Sequence, residues 1–152
     1  MLLRVFTLAD LEAVQQLLRA IGWAEQYVQG QAGSLAALHR DPNGQALVAA
    51  EGPGLIGFVT VLFAQWNQLA QVHGLAVDPA HRRQGVASAL LAAAENFARE
   101  KGGRGVFVDT PVDNHAARAF YAANGYGEAY VMPEYYAEGL DGVTYLKLFK
   151  RS

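Results

Sequence analysis

Residues 69–110 read as a strand, a helix and a second strand in direct succession. Leu69–Val77 is largely apolar and stops at Asp78-Pro79, and Val106–Thr110 is a second short apolar run. Between them, Val86–Lys101 places Leu90, Ala94 and Phe97 on one helical face before Gly102-Gly103 ends it. A helix joining two strands of one sheet crosses a sheet face and leaves those strands parallel. Upstream, Gln45–Glu51 and Leu55–Ala64 flank Gly52-Pro53-Gly54, the pattern of an antiparallel hairpin. A hairpin followed by a crossover demands a mixed sheet covered on both faces.

The remaining segments add to that frame. Leu2–Phe6 is a short first strand. Thr7 stands three residues before Asp10, as in a capping box, and Leu11, Val14, Leu17, Leu18 and Ile21 follow at helical spacing up to Gly22. Gly30, Gly33, Pro42 and Gly44 mark residues 23–44 as a loop holding one short helix near Ser34–His39. Asn114–Asn124 is a helix stopped by Gly125, Val143–Phe149 a last strand, and Gly127–Met132 an added one. The fold class is α/β, a twisted, mostly antiparallel mixed sheet of about six or seven strands with about four helices on both faces. With 152 residues and 52% apolar content, the expectation is one domain over residues 1–152.

Composition removes several functions. A net charge of −2 offers no field for nucleic acid. No apolar run reaches the length of about 18 residues that a membrane helix needs, and the amino terminus lacks the form of a secretory leader. The chain has no cysteine, which excludes disulfides, thiol nucleophiles and thiolate metal sites. No metal is expected, and a cytoplasmic location is.

Chemistry gathers first at His81-Arg82-Arg83-Gln84-Gly85-Val86-Ala87, between the strand and the main helix. The first N–H groups of a helix have no internal partner, and the helix dipole favours an anion there. Glycine lets an anion approach the backbone, and two arginines add charged donors. Asp78 is the one nearby acid able to pair with them. By itself the pattern also describes a solvated basic loop. The chain lacks both G-x-x-x-x-G-K followed by Ser or Thr and a G-x-G-x-x-G after a strand.

Leu75-Ala76-Val77-Asp78-Pro79 followed by Arg82-Arg83-Gln84-Gly85-Val86-Ala87 resembles the acetyl-CoA signature of the GNAT N-acetyltransferase superfamily. Asn114-His115-Ala116-Ala117, Phe120-Tyr121 and Gly125-Tyr126 resemble its second motif at the expected distance, and the element order matches over nearly the whole chain. The resemblance implies an acetyltransferase that takes acetyl-CoA as co-substrate. Leu75, Ala76 and Val77 would offer backbone groups to the pantetheine arm, as an added strand does. Arg82, Arg83, Gln84, Gly85, Val86, Ala87 and Ser88 would wrap the pyrophosphate. Asn114 would contact pantetheine, and Tyr121 would act as general acid near the sulfur. Ala87 stands where many members carry glycine.

Acetyl transfer to an amine needs a neutral amine, a stabilised oxyanion and a proton for the thiolate. A tyrosine of pKa about 10 keeps its proton at pH 7 and can supply it. The base is open between two residues. Many relatives carry a glutamate on the strand before the Leu-Ala-Val, where this chain has Gln71-Val72-His73-Gly74. His73 titrates near neutrality. Strict alternation puts it on the face of Leu75 and Val77, unless Gly74 marks a bulge. Asp109 is the rival, five residues before Asn114, where ribosomal-protein alanine acetyltransferases carry a glutamate. Tyr135-Tyr136 through Lys147 is also similar to the closing segment of those enzymes.

The acceptor is expected to be a primary amine of a small molecule, peptide or protein. Neutralising a lysine amine at pH 7 costs about 4.6 kcal/mol, an α-amine only about 1–1.4. With no unmistakable base, an α-amine is the easier acceptor. The other reading is a non-catalytic acyl-CoA-binding domain of the same fold. A homodimer is one option for assembly. Trp23, Tyr27, Trp66, Tyr135 and Tyr136 receive no role.

Overall fold

The computed structural model describes residues 1–150. Strand β1 (Leu2–Val5) leads through a single turn at Leu8–Asp10 into α1 (Leu11–Ile21) and α2 (Glu25–Arg40). Strands β2 (Gly44–Glu51), β3 (Gly54–Ala64) and β4 (Leu69–Val77) follow, then α3 (Val86–Glu100) and β5 (Gly105–Pro111). Helix α4 (His115–Ala123) and the hairpin of β6 (Gly127–Ala137) and β7 (Leu140–Leu148) close the chain. One seven-stranded sheet has the order β1-β2-β3-β4-β5-β7-β6. Strands β4 and β5 run parallel and all other neighbours antiparallel, as the crossover and the hairpin require.

Each sheet face buries its own core. On one side Val14, Leu18, Val28 and Leu35 of α1 and α2 pack on Val48 and Phe58. On the other, Leu90, Leu91 and Ala94 of α3, with Tyr121 of α4, pack on Val59, Val61, Val72 and Val106. No helix among the described residues is long and apolar enough to cross a membrane.

Three expectations change. The segment read as a loop with a short helix at Ser34–His39 is the 16-residue helix α2. Gly30 and Gly33 are exposed, and a Cβ at either would meet nothing within 4 Å. Each lowers helix propensity by about 1 kcal/mol against alanine. Burial of Val28, Leu35 and Leu38 offsets that at about 1.5–3 kcal/mol per side chain. Strand β6 runs five residues past Met132, through Pro133 and a left-handed Glu134 at φ 52°, because an irregularity absorbs the proline on this sheet edge. Strand β7 begins at Leu140, since Gly139 at φ 77° turns the chain directly out of β6.

At the amino-terminal turn, Asp10 accepts from the Thr7 N–H at 2.8 Å, the capping arrangement anticipated there. It also takes a two-pronged bond from Arg4, with both distances 2.8 Å.

Candidate active site

Strand β4 carries one residue too many for its partner. Opposite it on β3, Thr60 pairs with Gly74 and Val61 with Val72, so His73 is the extra residue of a bulge. Side-chain parity flips there. Ala70 and Val72 before the bulge, and Leu75 and Val77 after it, all face the α3 core, while Ala76 faces the α1–α2 core. His73 therefore does not share the face of Leu75 and Val77, as strict alternation would have it. Part of its surface is open to solvent and the rest is enclosed by the cleft.

On its other edge β4 pairs with β5 only from Leu69 to Val72, against Gly105 to Val108. Beyond Val72 the two strands part. The β5-facing edge of residues 73–77 then presents backbone groups that no strand of the protein takes up, the arrangement an extended ligand can complete.

That edge runs into the loop before α3. Asp78 accepts from the Ala80 N–H at 3.2 Å and lies 3.2 Å from Nδ1 of His81, whose Nε2 is 3.3 Å from Glu51. Asp78 thus folds the turn at Pro79–His81 and does not pair with the arginines. Arg82 and Arg83 are exposed and form no ion pair among the described residues.

Arg83 takes φ 63° and Gly85 φ 80°, with residues of ordinary hand on either side of Arg83. Such alternation gathers successive N–H groups around one concavity able to hold an anion. A Cβ at Gly85 would meet nothing within 4 Å, so glycine is needed there for its dihedral angles, and the space in front stays open. The Ala89 N–H donates to the Gly85 carbonyl at 3.0 Å and begins the helical ladder. The N–H groups of Val86, Ala87 and Ser88 precede that ladder.

The gap between β4 and β5 is a cleft of about 520 Å³. His73, Leu75, Asp109, Asn114 and Tyr121 line it together, whereas residues 82–88 lie beyond it at the end of the same β4 edge. Tyr121 is 6% exposed and packed among Phe120, Tyr126 and Tyr145, with ring centroids 5.3–5.9 Å away. Its carbonyl accepts from the Tyr126 N–H at 3.0 Å past the left-handed Gly125, which fixes the end of α4. The Tyr121 hydroxyl makes no hydrogen bond among the described residues, and burial pushes its pKa well above that of an ordinary tyrosine. Asn114 caps α4, its Oδ1 accepting from the Ala117 N–H at 3.1 Å, so its amide nitrogen remains for the cleft.

Asp109 is half-buried in mid-β5. One carboxylate oxygen accepts from the Gln71 amide at 3.2 Å, and the other accepts from the Thr144 hydroxyl. Its charge helps raise the pKa values of Tyr135 and Tyr136, second to their burial. At His73, burial lowers the imidazole pKa from its ordinary 6.5, and Asp109 opposes that in part. Trp23, between α1 and α2, and Gln26, Tyr27, Gly30 and Gln31 of α2 line the cleft on another side. The two glutamines escaped the sequence reading because Gly30 and Gly33 disguised their helix; the signal was the spacing of Val28, Ala32, Leu35 and Leu38. Trp66, 87% exposed, lies outside the cleft lining.

A sheet that opens beside a cationic, glycine-bearing helix mouth defines a domain able to hold an elongated ligand with an anionic head along one strand edge. The chain belongs to the acetyltransferase (GNAT) family, whose model matches residues 11–126. It is 32% identical over 117 residues to streptothricin acetyltransferase of Streptomyces lavendulae, a match covering 76% of this chain and 57% of that protein. The chain thus spans little more than half the length of that relative.

Among solved structures, an aminoglycoside 6'-N-acetyltransferase complexed with coenzyme A superimposes with a TM-score of 0.83 at 18% identity, covering 100% of this chain and 99% of the other. The ribosomal-protein-S18-alanine N-acetyltransferase of Escherichia coli gives 0.80 at 18% identity, covering 99% and 95%. At such identities the likeness is one of fold.

Proposed function

We propose that this chain is an acetyl-CoA-dependent N-acetyltransferase that acetylates a primary amine by direct attack, with both substrates bound together. The observation that carries the reading is the unpaired edge of β4, which ends at the arginine-bearing mouth of α3. Leu75, Ala76 and Val77 would hold a pantetheine arm through their backbone, joined by the free amide of Asn114. Arg82 and Arg83, with the N–H groups of Gln84, Gly85, Val86, Ala87 and Ser88, would hold the diphosphate. Acetyl-CoA supplies an acetyl group already activated as a thioester. Kinship with streptothricin acetyltransferase, and a fold neighbour complexed with coenzyme A, support the assignment.

In the reaction the amine nitrogen bonds to the acetyl carbon and the carbon–sulfur bond breaks. His73, exposed in the cleft with a lowered pKa, is unprotonated at neutral pH and takes the proton the ammonium must lose, directly or through water. Asp109 stabilises the imidazolium that forms. Tyr121, held neutral by burial, gives its proton to the departing sulfur and recovers one from the second proton that the acetylated nitrogen sheds. With a base this weak, an α-amine is the acceptor of choice, at about 1–1.4 kcal/mol to neutralise against about 4.6 for lysine. A cytoplasmic location suits such a co-substrate.

The test is calorimetry with coenzyme A, followed by thiol release on α-amino and ε-amino peptides. Binding, then faster turnover of α-amines, is the expected result. No coenzyme A uptake by folded protein rejects the reading, and faster lysine acetylation rejects the acceptor. Uptake without turnover on any amine makes the chain a binding module.

A further inference from the structure

The charges of the cleft are one-sided. Among the described residues Asp109 is the one carboxylate in its lining, and no lysine or arginine lines it. Arg19 and Arg118, on the helices that contribute to the lining or adjoin it in sequence, are engaged with acids outside it: Arg19 with Glu25 at 2.6 Å, and Arg118 with Glu128 at 2.6 Å. Arg82 and Arg83 stand at the far end of the β4 edge. Asp109 accepts from Gln71 and Thr144 and interacts with the Tyr135 hydroxyl, all neutral groups, so no cation among the described residues cancels its charge. Trp23, Tyr27 and Tyr136 add aromatic faces to the same wall. Aromatic faces and an uncompensated carboxylate attract an ammonium group. A second carboxylate entering the cleft meets like charge and no counter-ion.

We propose that the acceptor side of this cleft takes a cationic amine with no carboxylate beside it, such as a peptide amino terminus, an amino-acid amide or an amino sugar, and rejects free amino acids. The proposal deepens the acetyltransferase reading and rests on it for the identity of the cleft. It follows from the absence of any lysine or arginine in the described lining, since charged donors make the strongest carboxylate contacts and nothing here offsets the repulsion from Asp109. His73, depressed below its ordinary pKa, does not substitute for one at neutral pH.

The experiment titrates the protein with phenylalaninamide and with phenylalanine, with and without coenzyme A. It is run at about pH 6.5, where both amines are protonated and differ in the carboxylate. The amide should bind at least about tenfold more tightly, the factor for roughly 1.4 kcal/mol of like-charge repulsion. Asp109→Asn should shrink the gap. Gln26→Arg, on an exposed position of the cleft wall, should shrink it too by giving the carboxylate a partner. Equal or reversed affinities in the wild-type protein overturn the proposal, as does failure of both compounds to bind at millimolar concentration. Coenzyme A uptake separates the two levels. Uptake without amide preference defeats this proposal alone, whereas amide preference without uptake defeats the acetyltransferase reading.

Discussion

The side-chain amide of Gln31 donates to the carbonyl oxygen of His73 at 3.1 Å, tying α2 to the bulged residue of β4. A Cβ on neighbouring Gly74 would stand 2.5 Å from Gln31 Oε1, so the amide fills the space the glycine leaves. Gly74→Ala must push that amide aside and lose a bond worth about 0.5–1.5 kcal/mol, and Gln31→Ala loses the same bond. The two substitutions should therefore be non-additive by about that amount in a urea-denaturation cycle. Additive costs would show that amide and glycine are not fitted to each other.

Tyr121→Phe keeps the ring among Phe120, Tyr126 and Tyr145 and strands no partner, because the hydroxyl bonds to nothing among the described residues. Thermal stability and coenzyme A affinity should stay near wild type while the transfer rate falls about 10²–10⁴-fold. Stopped-flow thiol release measures the rate. An unchanged rate removes Tyr121 from the chemistry.

At the helix mouth, Arg83→Ala should weaken coenzyme A binding by about 1.5–3 kcal/mol if the guanidinium meets a phosphate. Gly85→Ala has room for its methyl group but must hold φ 80°, a strain of about 1–2 kcal/mol. It should lower both stability and affinity. Calorimetry reads the affinities, and equal binding by all three proteins would move the phosphate elsewhere.

The pH profile should report His73. Burial lowers its pKa below 6.5 despite Asp109, so kcat/KM should hold until pH falls below that value and then drop as the imidazole charges. Asp109→Asn removes the anion that raises this pKa and should carry the acidic limb lower still. Stability has the same sign. The folded pKa is depressed, so the full contribution exists above the unfolded value and is lost as pH falls through the folded one. A limb that survives His73→Asn belongs to another group.

Asp10 gives a control remote from the cleft. The Arg4 bond holds its carboxyl down from the ordinary 3.8 to about 2. Its stabilisation is complete above pH 3.8 and disappears as pH falls through about 2. With Arg4 39% exposed, Asp10→Asn should cost about 1 kcal/mol at pH 7, and wild type and variant should converge in acid denaturation.

Strand and helix periodicity were legible wherever glycine agreed with them. Gly22, Gly102 and Gly125 do stop their helices in the left-handed region. Where glycine sits inside a helix on its open face, at Gly30 and Gly33, the local signal pointed to a loop, and burial of Val28 and Leu35 outweighed it. The helix-mouth pattern at 82–88 was plain in the sequence because a phosphate cradle is local: glycine, arginines and a helix start within seven residues. Asp109 and His73 could be named as rivals but not placed, since each owes its surroundings to distant strands and to Gln31 of α2.

The order of residues thus determined by itself the alternation of elements and the anion-ready loop, which are set locally, and the parallel crossover, which a strand–helix–strand succession imposes on its two strands. Tertiary structure alone decided that β4 and β5 part after Val72, that a bulge turns His73 off the face of Leu75 and Val77, and that no cation enters the described cleft lining. Those outcomes depend on which strand edges remain unpaired and which charges find partners elsewhere, quantities that exist only once residues far apart have been brought together.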